Sequence, residues 1–105
     1  MEVTKTERGF GIIEFVDMYG KPCSLQKSSL ATEDAVWLGV NDANPKIMAR
    51  DAHKYGIKTK ERTGWISYPV PDDVSMTTRM HLTQDQVREL LPLLQRFVET
   101  GELQD

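Results

Sequence analysis

The sequence predicts an α+β fold, in which a small antiparallel β-meander precedes one kinked, amphipathic C-terminal helix. Apolar runs separated by Gly, Pro and Asn occupy the first 45 residues, which is typical of short strands. Residues 74–82 alternate between apolar and polar side chains, which indicates a strand with one buried face. After Thr83 the apolar residues recur at helical spacing. A length of 105 residues suits one domain, so we expect residues 1–105 to form a single domain.

The first two strands are predicted as a β-hairpin over residues 8–28. The segment from Phe10 to Val16 is apolar and rich in residues that favour strands. Gly20 and Pro22 then mark a turn, and Leu25 lies in the returning strand.

The next segment predicts a short buried strand and then a less regular region. The run from Ala35 to Val40 is apolar, and residues 41–45 contain the Asn, Asp and Pro residues of a turn. The segment from Trp65 to Tyr68 is predicted to be a strand, but the prolines that follow it exclude a central position in a sheet. We expect residues 46–71 to form a protruding hairpin or an irregular flap.

The C-terminal helix has clear start and stop signals. Thr83 and Gln86 have the spacing of a capping box, which predicts a helix from Gln84. Gly101 predicts its end, and Pro92 should kink it because proline cannot donate a hydrogen bond to the Arg88 carbonyl. One apolar stripe is predicted from the spacing of Val87, Leu90, Leu91, Leu94, Phe97 and Val98.

Composition excludes several classes of protein. The net charge of −3 is unlike that of a general nucleic-acid binder, so a nucleic-acid partner is not expected. No apolar run approaches the roughly 20 residues of a membrane span, so no membrane partner is expected. The N-terminus lacks the pattern of a signal peptide, and Cys23 is the only cysteine. Both observations predict a protein of the reducing cytosol.

Two regions carry side chains suited to an anionic ligand. The connection after Leu25 is long and contains Lys27, Ser28 and Ser29, which offer an ammonium group and two hydroxyls. Arg79 has the planar fork that binds phosphate in a bidentate manner. Trp37 could stack on a base or simply pack in the core. Residues 46–71 hold a local charge of +4, either as a solvated hairpin or as a rim that attracts an anion.

The sequence shows no set of catalytic or metal-binding residues. Cys23 with His53 or His81 could form a nucleophile and base, but no third orienting group is evident and a buried Cys23 is the simpler interpretation. Two distant histidines and one cysteine do not have metal-ligand spacing. We therefore predict a protein that is not an enzyme and has neither a metal nor a cofactor.

Self-association is expected from the predicted layers. One helix packed on one small sheet leaves the other sheet face thinly covered, and a second copy is the simplest cover. Leu93 lies away from the main helical stripe and offers further apolar surface for a homo-oligomer.

Two blocks of sequence, residues 24–39 and 76–103, resemble small proteins encoded by bacteriophages and prophages. Among those proteins, the blocks resemble the first-described anti-Thoeris sponge family. The resemblance covers residues 8–45 and 74–103, and neither block is a catalytic motif. It implies a cytosolic, non-enzymatic oligomer that sequesters cyclic ADP-ribose isomers, and in some members cyclic oligonucleotides, at sites between subunits. On these blocks and on side-chain chemistry, the expected ligand-binding residues are Lys27, Ser28, Ser29, Trp37, Asn41 and Arg79.

Two alternatives remain open at this stage. A protein–protein inhibitor of a host defence complex, such as a CRISPR nuclease, would use the acidic surfaces of residues 1–45 and 72–105. An enzyme acting on such nucleotides would need a base or nucleophile that the sequence does not place.

Overall fold

The structure is a computed structural model that describes residues 1–76 and 78–104. Seven strands, one 3-10 helix and one α-helix make up its regular elements within those residues. In chain order they are β1 (Val3–Lys5), β2 (Gly11–Val16), β3 (Pro22–Lys27), β4 (Ala35–Val40), β5 (Lys46–Met48), the 3-10 helix (Ala49–Tyr55), β6 (Trp65–Ser67), β7 (Arg79–Thr83) and α1 (Gln84–Thr100).

The main sheet has five antiparallel strands in the order β1-β2-β3-β4-β7. The first four strands follow one another in space as they do in sequence, so the predicted α+β meander is confirmed. In the β2–β3 turn, Asp17 Oδ1 accepts the N–H groups of Tyr19 and Lys21, both at 2.9 Å. Gly20 supplies the positive φ of 78° that this turn needs.

The chain divides into two compact units, one of residues 1–41 with 79–105 and one of Asp42–Thr78. In the second unit β5 pairs with β6, and Ile47 lies opposite Ile66. Ala49 and Ala52 of the 3-10 helix are buried there. The predicted strand at Trp65 is therefore present, as an edge of a two-stranded sheet.

Strand β7 is shorter than the strand that was predicted from the alternation of residues 74–82. It begins at Arg79, which pairs with Gly39. Its partner strand β4 ends at Val40, and a bend follows at Asn41. The predicted buried face is also incomplete, since Met80 is 54% exposed. Thr77, part of the predicted strand, lies outside the described residues.

Helix α1 begins and ends where the sequence predicted. Thr83 Oγ1 accepts the Gln86 N–H at 3.2 Å, and Gln86 Oε1 accepts the Thr83 N–H at 2.9 Å. At the other end the Gly101 N–H donates to the Phe97 carbonyl, with the glycine at a φ of 77°. Pro92 lies inside the helix without ending it.

The capping box makes a first prediction. Thr83→Ala removes one acceptor from the helix N-terminus and should lower the free energy of unfolding by about 1 kcal/mol. Urea unfolding followed by circular dichroism measures the loss. Thr63→Ala, in an exposed turn, is the matched control and should leave the midpoint unchanged. Equal stabilities of the two variants would contradict a stabilising cap.

The register sorts the side chains of the main sheet onto two faces, because residues directly opposite in a ladder share a face. The polar face carries Glu14, Ser24, Gln26, Trp37, Arg79 and His81. The apolar face carries Ile13, Phe15, Cys23, Leu25, Val36, Leu38, Met80 and Leu82.

The position of α1 differs from the expectation that it packs on the sheet of its own chain. No described residue of α1 is buried, and its apolar stripe is exposed. The reason is local: β7 ends at Thr83 and α1 begins at Gln84, so no loop allows the helix to turn back across the sheet.

Candidate functional site

The centre of the polar face is the guanidinium group of Arg79. Its Nη1 donates to Ser24 Oγ at 3.2 Å and to Gln26 Oε1 at 3.0 Å. Both acceptors are neutral, and no carboxylate among the described residues forms an ion pair with Arg79. The Arg79 charge is thus held in place by hydrogen bonds but is not neutralised by them.

Two aromatic side chains lie beside this arginine. The rings of Trp37 and His81 stack across β4 and β7, with centroids 3.9 Å apart and planes within 5° of parallel. The Arg79 guanidinium carbon lies 5.7 Å from the Trp37 ring centroid, within the range of a cation–π contact. Within the described residues neither Trp37 nor His81 makes a side-chain hydrogen bond, so the N–H groups of both rings are available to a ligand.

This cluster of Ser24, Gln26, Trp37, Arg79 and His81, which we call the polar floor, has the chemistry of a nucleotide-binding surface. A guanidinium group binds phosphate oxygens through parallel N–H groups. Glu14 lies opposite Ser24 on the same face but forms no ion pair with Arg79. Flat aromatic surfaces bind a base by stacking, and ring N–H groups can donate to its acceptors. The polar floor therefore offers both kinds of contact that a small phosphorylated nucleotide requires.

The structure brings together only part of the predicted ligand set. Trp37 and Arg79 lie side by side on the polar floor. Asn41 follows the end of β4, two residues beyond the Gly39 that pairs with Arg79, and its backbone N–H donates to the Pro22 carbonyl. Asn41 thus lies at the border of the floor.

The three loop residues of the predicted set lie away from Arg79. Lys27 pairs with Val36 on the apolar face, and its Nζ lies 2.8 Å from Asp34 Oδ1. Ser28 is buried, with its N–H donating to the Ala35 carbonyl and its Oγ accepting the Leu30 N–H. Ser29 is exposed. The Ser28 hydroxyl is thus used by the loop itself, and the Lys27 ammonium group is paired with Asp34 on the other face.

Sequence reasoning missed three members of the polar floor, namely Ser24, Gln26 and His81. The alternation of Cys23, Ser24, Leu25 and Gln26 already placed the two polar residues on one side of their strand. What the sequence could not supply was the register of β3, β4 and β7, which brings them under Arg79.

The nucleophile considered from sequence lies apart from His81. Cys23 is buried on the apolar face, and its thiol donates to the Lys21 carbonyl at 3.3 Å. His81 is on the opposite face, so these two side chains do not form a nucleophile–base pair. Among residues 1–76 and 78–104, no group of three or more acidic, His or Cys side chains could hold a metal ion.

A second concave region, the helix-base cleft, lies where α1 leaves the sheet. It has a volume of about 540 Å³, and its apolar lining comes from Val36, Leu82, Val87 and Leu91. Its two cations, Lys27 and Arg88, are paired with Asp34 and Asp85. Since both charges are neutralised, the helix-base cleft suits an apolar side chain better than an anion.

The Lys27–Asp34 pair makes a pH prediction. The hydrogen bond and charge of Lys27 lower the pKa of Asp34 below its ordinary value of 3.8. A lowered pKa means that the pair stabilises the fold above about pH 4 and that this contribution is lost as pH falls through the folded-state pKa. Because both groups are exposed, the effect on stability is small.

Carboxyl chemical shifts followed by NMR across an acid titration measure this pKa directly. Lys27→Met should raise the pKa of Asp34 toward 3.8. Lys21→Met, which changes an exposed lysine in the β2–β3 turn, should not. An Asp34 titration that is identical in the parent and Lys27→Met would contradict the pairing.

No protein-family model, curated protein or solved structure matches this chain. No helix within residues 1–76 and 78–104 is both long enough and apolar enough to cross a membrane.

Proposed function

We propose that this is a phage anti-defence protein that binds and sequesters cyclic nucleotide immune signals without cleaving them. The ligands would be cyclic ADP-ribose isomers or cyclic oligonucleotides, held in the cytosol of the host bacterium by a homo-oligomer. The observation that carries the proposal is the Arg79 charge, which has only neutral partners beside a stacked pair of aromatic rings. The resemblance of residues 24–39 and 76–103 to anti-Thoeris sponges supports the choice of ligand class.

The contacts divide the ligand into two parts. The Arg79 guanidinium would bind a phosphate group, and charge-assisted hydrogen bonds of this kind contribute about 1.5–3 kcal/mol each. Trp37 and His81 would bind the base, and stacking on an aromatic side chain contributes about 1–3 kcal/mol. Sequestration needs only these binding contacts and does not require a general base or a nucleophile.

Calorimetric titration tests the proposal with cyclic ADP-ribose isomers, cyclic dinucleotides and cyclic trinucleotides as probes. At least one probe should bind with measurable heat, and heating the complex should release the probe with unchanged mass. Inorganic phosphate, which lacks a base, should bind much more weakly. Absence of heat from every probe would overturn the proposal, and recovery of a cleaved probe would indicate an enzyme instead.

A protein–protein inhibitor is the second candidate, and the exposed apolar stripe of α1 is the observation that favours it. This candidate predicts capture of a host defence protein through that stripe, together with no heat from any of the nucleotide probes.

A further inference from the structure

The strongest unexplained feature is the apolar stripe of α1. Its side chains would be buried in most amphipathic helices, yet Leu94 and Phe97 are each 54% exposed and Val98 is 77% exposed. A helix of 17 residues with no buried side chain gains little from tertiary packing, which is where most helical stability comes from. The stripe therefore requires a cover that one copy of this chain does not supply.

The apolar side chains of the main sheet are also incompletely buried. Of the side chains on the apolar face only Cys23 is buried, while Phe15, Leu25 and Leu38 remain partly exposed. Met80 on the same face is more than half exposed. The unit of residues 1–41 and 79–105 thus has two apolar surfaces, a helix stripe and a sheet face, that its own described residues leave largely exposed.

The solvent-accessible area of the chain indicates how much surface a partner would cover. The chain exposes 8925 Å² in total. Two separate compact bodies with the sizes of the two units would together expose only about 7,200 Å². The excess is roughly 1,700 Å² per chain, or about 3,400 Å² for a pair of chains, and obligate homodimers bury a total of about 2,000–5,000 Å².

We propose that the cover is a second copy of this chain, with the apolar stripe of each α1 lying on the apolar sheet face of the other copy. The proposal rests on the self-association included in the proposed function and deepens it by naming the two surfaces. The arrangement is reciprocal, so one two-fold axis covers both helices and both sheets.

The dimensions of the two surfaces agree. A helix of 17 residues is roughly 25 Å long, and five strands about 4.8 Å apart span roughly 20 Å. The helix-base cleft, lined by Val36, Leu82, Val87 and Leu91, lies beside this face and can receive an apolar side chain of the partner helix. The polar floor is on the opposite face of the sheet, so the exchange of helices does not cover the half-buried Arg79.

Light scattering of the full chain without any ligand tests the inference. The parent should have twice the 12.0-kDa mass of one chain at micromolar concentration. Leu94→Asp places a charge in the middle of the stripe and should give the mass of one chain or an unfolded protein. Gln95→Asp is the matched control, because it adds the same charge one position away on the polar side of α1. This variant should retain the mass of two chains.

A second measurement decides the case in which Leu94→Asp does not fold. In a mixture of isotope-labelled and unlabelled parent chains, NMR should show contacts between Leu94 or Phe97 of one copy and Leu25 or Leu38 of the other. A parent with the mass of one chain, or such contacts only within one chain, would overturn the inference. Since no ligand is present, neither result depends on whether the protein binds nucleotides.

Discussion

Arg79→Ala is expected to weaken the binding of the preferred cyclic nucleotide by roughly 10- to 150-fold, because it removes charge-assisted hydrogen bonds of about 1.5–3 kcal/mol. The substitution also removes the cation–π contact with Trp37 and leaves the Ser24 and Gln26 side chains without their donor. Isothermal titration calorimetry of the parent and the variant with the same probe measures the change. Arg79→Lys should be intermediate, since an ammonium group keeps the charge but loses the planar fork.

A matched control separates the role of Arg79 from that of arginine charge in general. Arg8 is exposed, lies 5.7 Å from the centroid of the Phe10 ring and is part of the β1–β2 connection. Arg8→Ala therefore removes one positive charge and one cation–π contact away from the polar floor, and it should leave affinity unchanged. A folded Arg79→Ala protein that binds every probe like the parent would contradict the proposed site.

The thermal midpoint of the parent is expected to rise with protein concentration. When two copies fold as one unit, each tenfold rise in concentration adds about 1.4 kcal/mol to the stability of the assembly. For a pair of chains of this length the shift is about 3–5 °C per tenfold change. Calorimetric scans at several protein concentrations measure it directly, without ligand.

The same scans include their own controls. Gln95→Asp should retain the dependence on concentration, whereas a folded Leu94→Asp protein should have lost it and should melt at a lower temperature. A parent midpoint that stays constant across concentrations would show that one chain folds alone, against the exchange of helices.

Local signals in the sequence were enough to predict several elements. The bounds of α1 follow from the Thr83–Gln86 capping box and from Gly101, whose contacts involve residues only three or four positions apart. Strand β4 has the predicted bounds of Ala35 to Val40, and the turn before β3 forms where Gly20 and Pro22 predicted it. For the helix ends and the turn, the interactions that fix the structure are made within a few residues of the chain.

What the sequence did not predict depends on contacts between distant residues. Arg79 was identified as a candidate, but its partners Ser24 and Gln26 are more than 50 positions away and meet it only through the pairing of β3, β4 and β7. Lys27 was grouped with Arg79, although the period of two in β3 places it with Cys23 and Leu25 on the other face.

The apolar stripe of α1 shows a second limit of sequence patterns. Its spacing correctly predicted which residues form an apolar surface, but a periodic pattern does not say which chain covers that surface. The absence of a loop between Thr83 and Gln84 is the feature that separates the helix from its own sheet.

Native mass spectrometry of the protein purified from cells that make the immune signal is the most direct test of the central claim, since it reports the assembly and its bound mass together. We expect two or a multiple of two chains of 12.0 kDa with a cyclic nucleotide bound, and release of that nucleotide unchanged on heating. A single chain that carries no small molecule, or a chain that releases a hydrolysed product, would contradict the account.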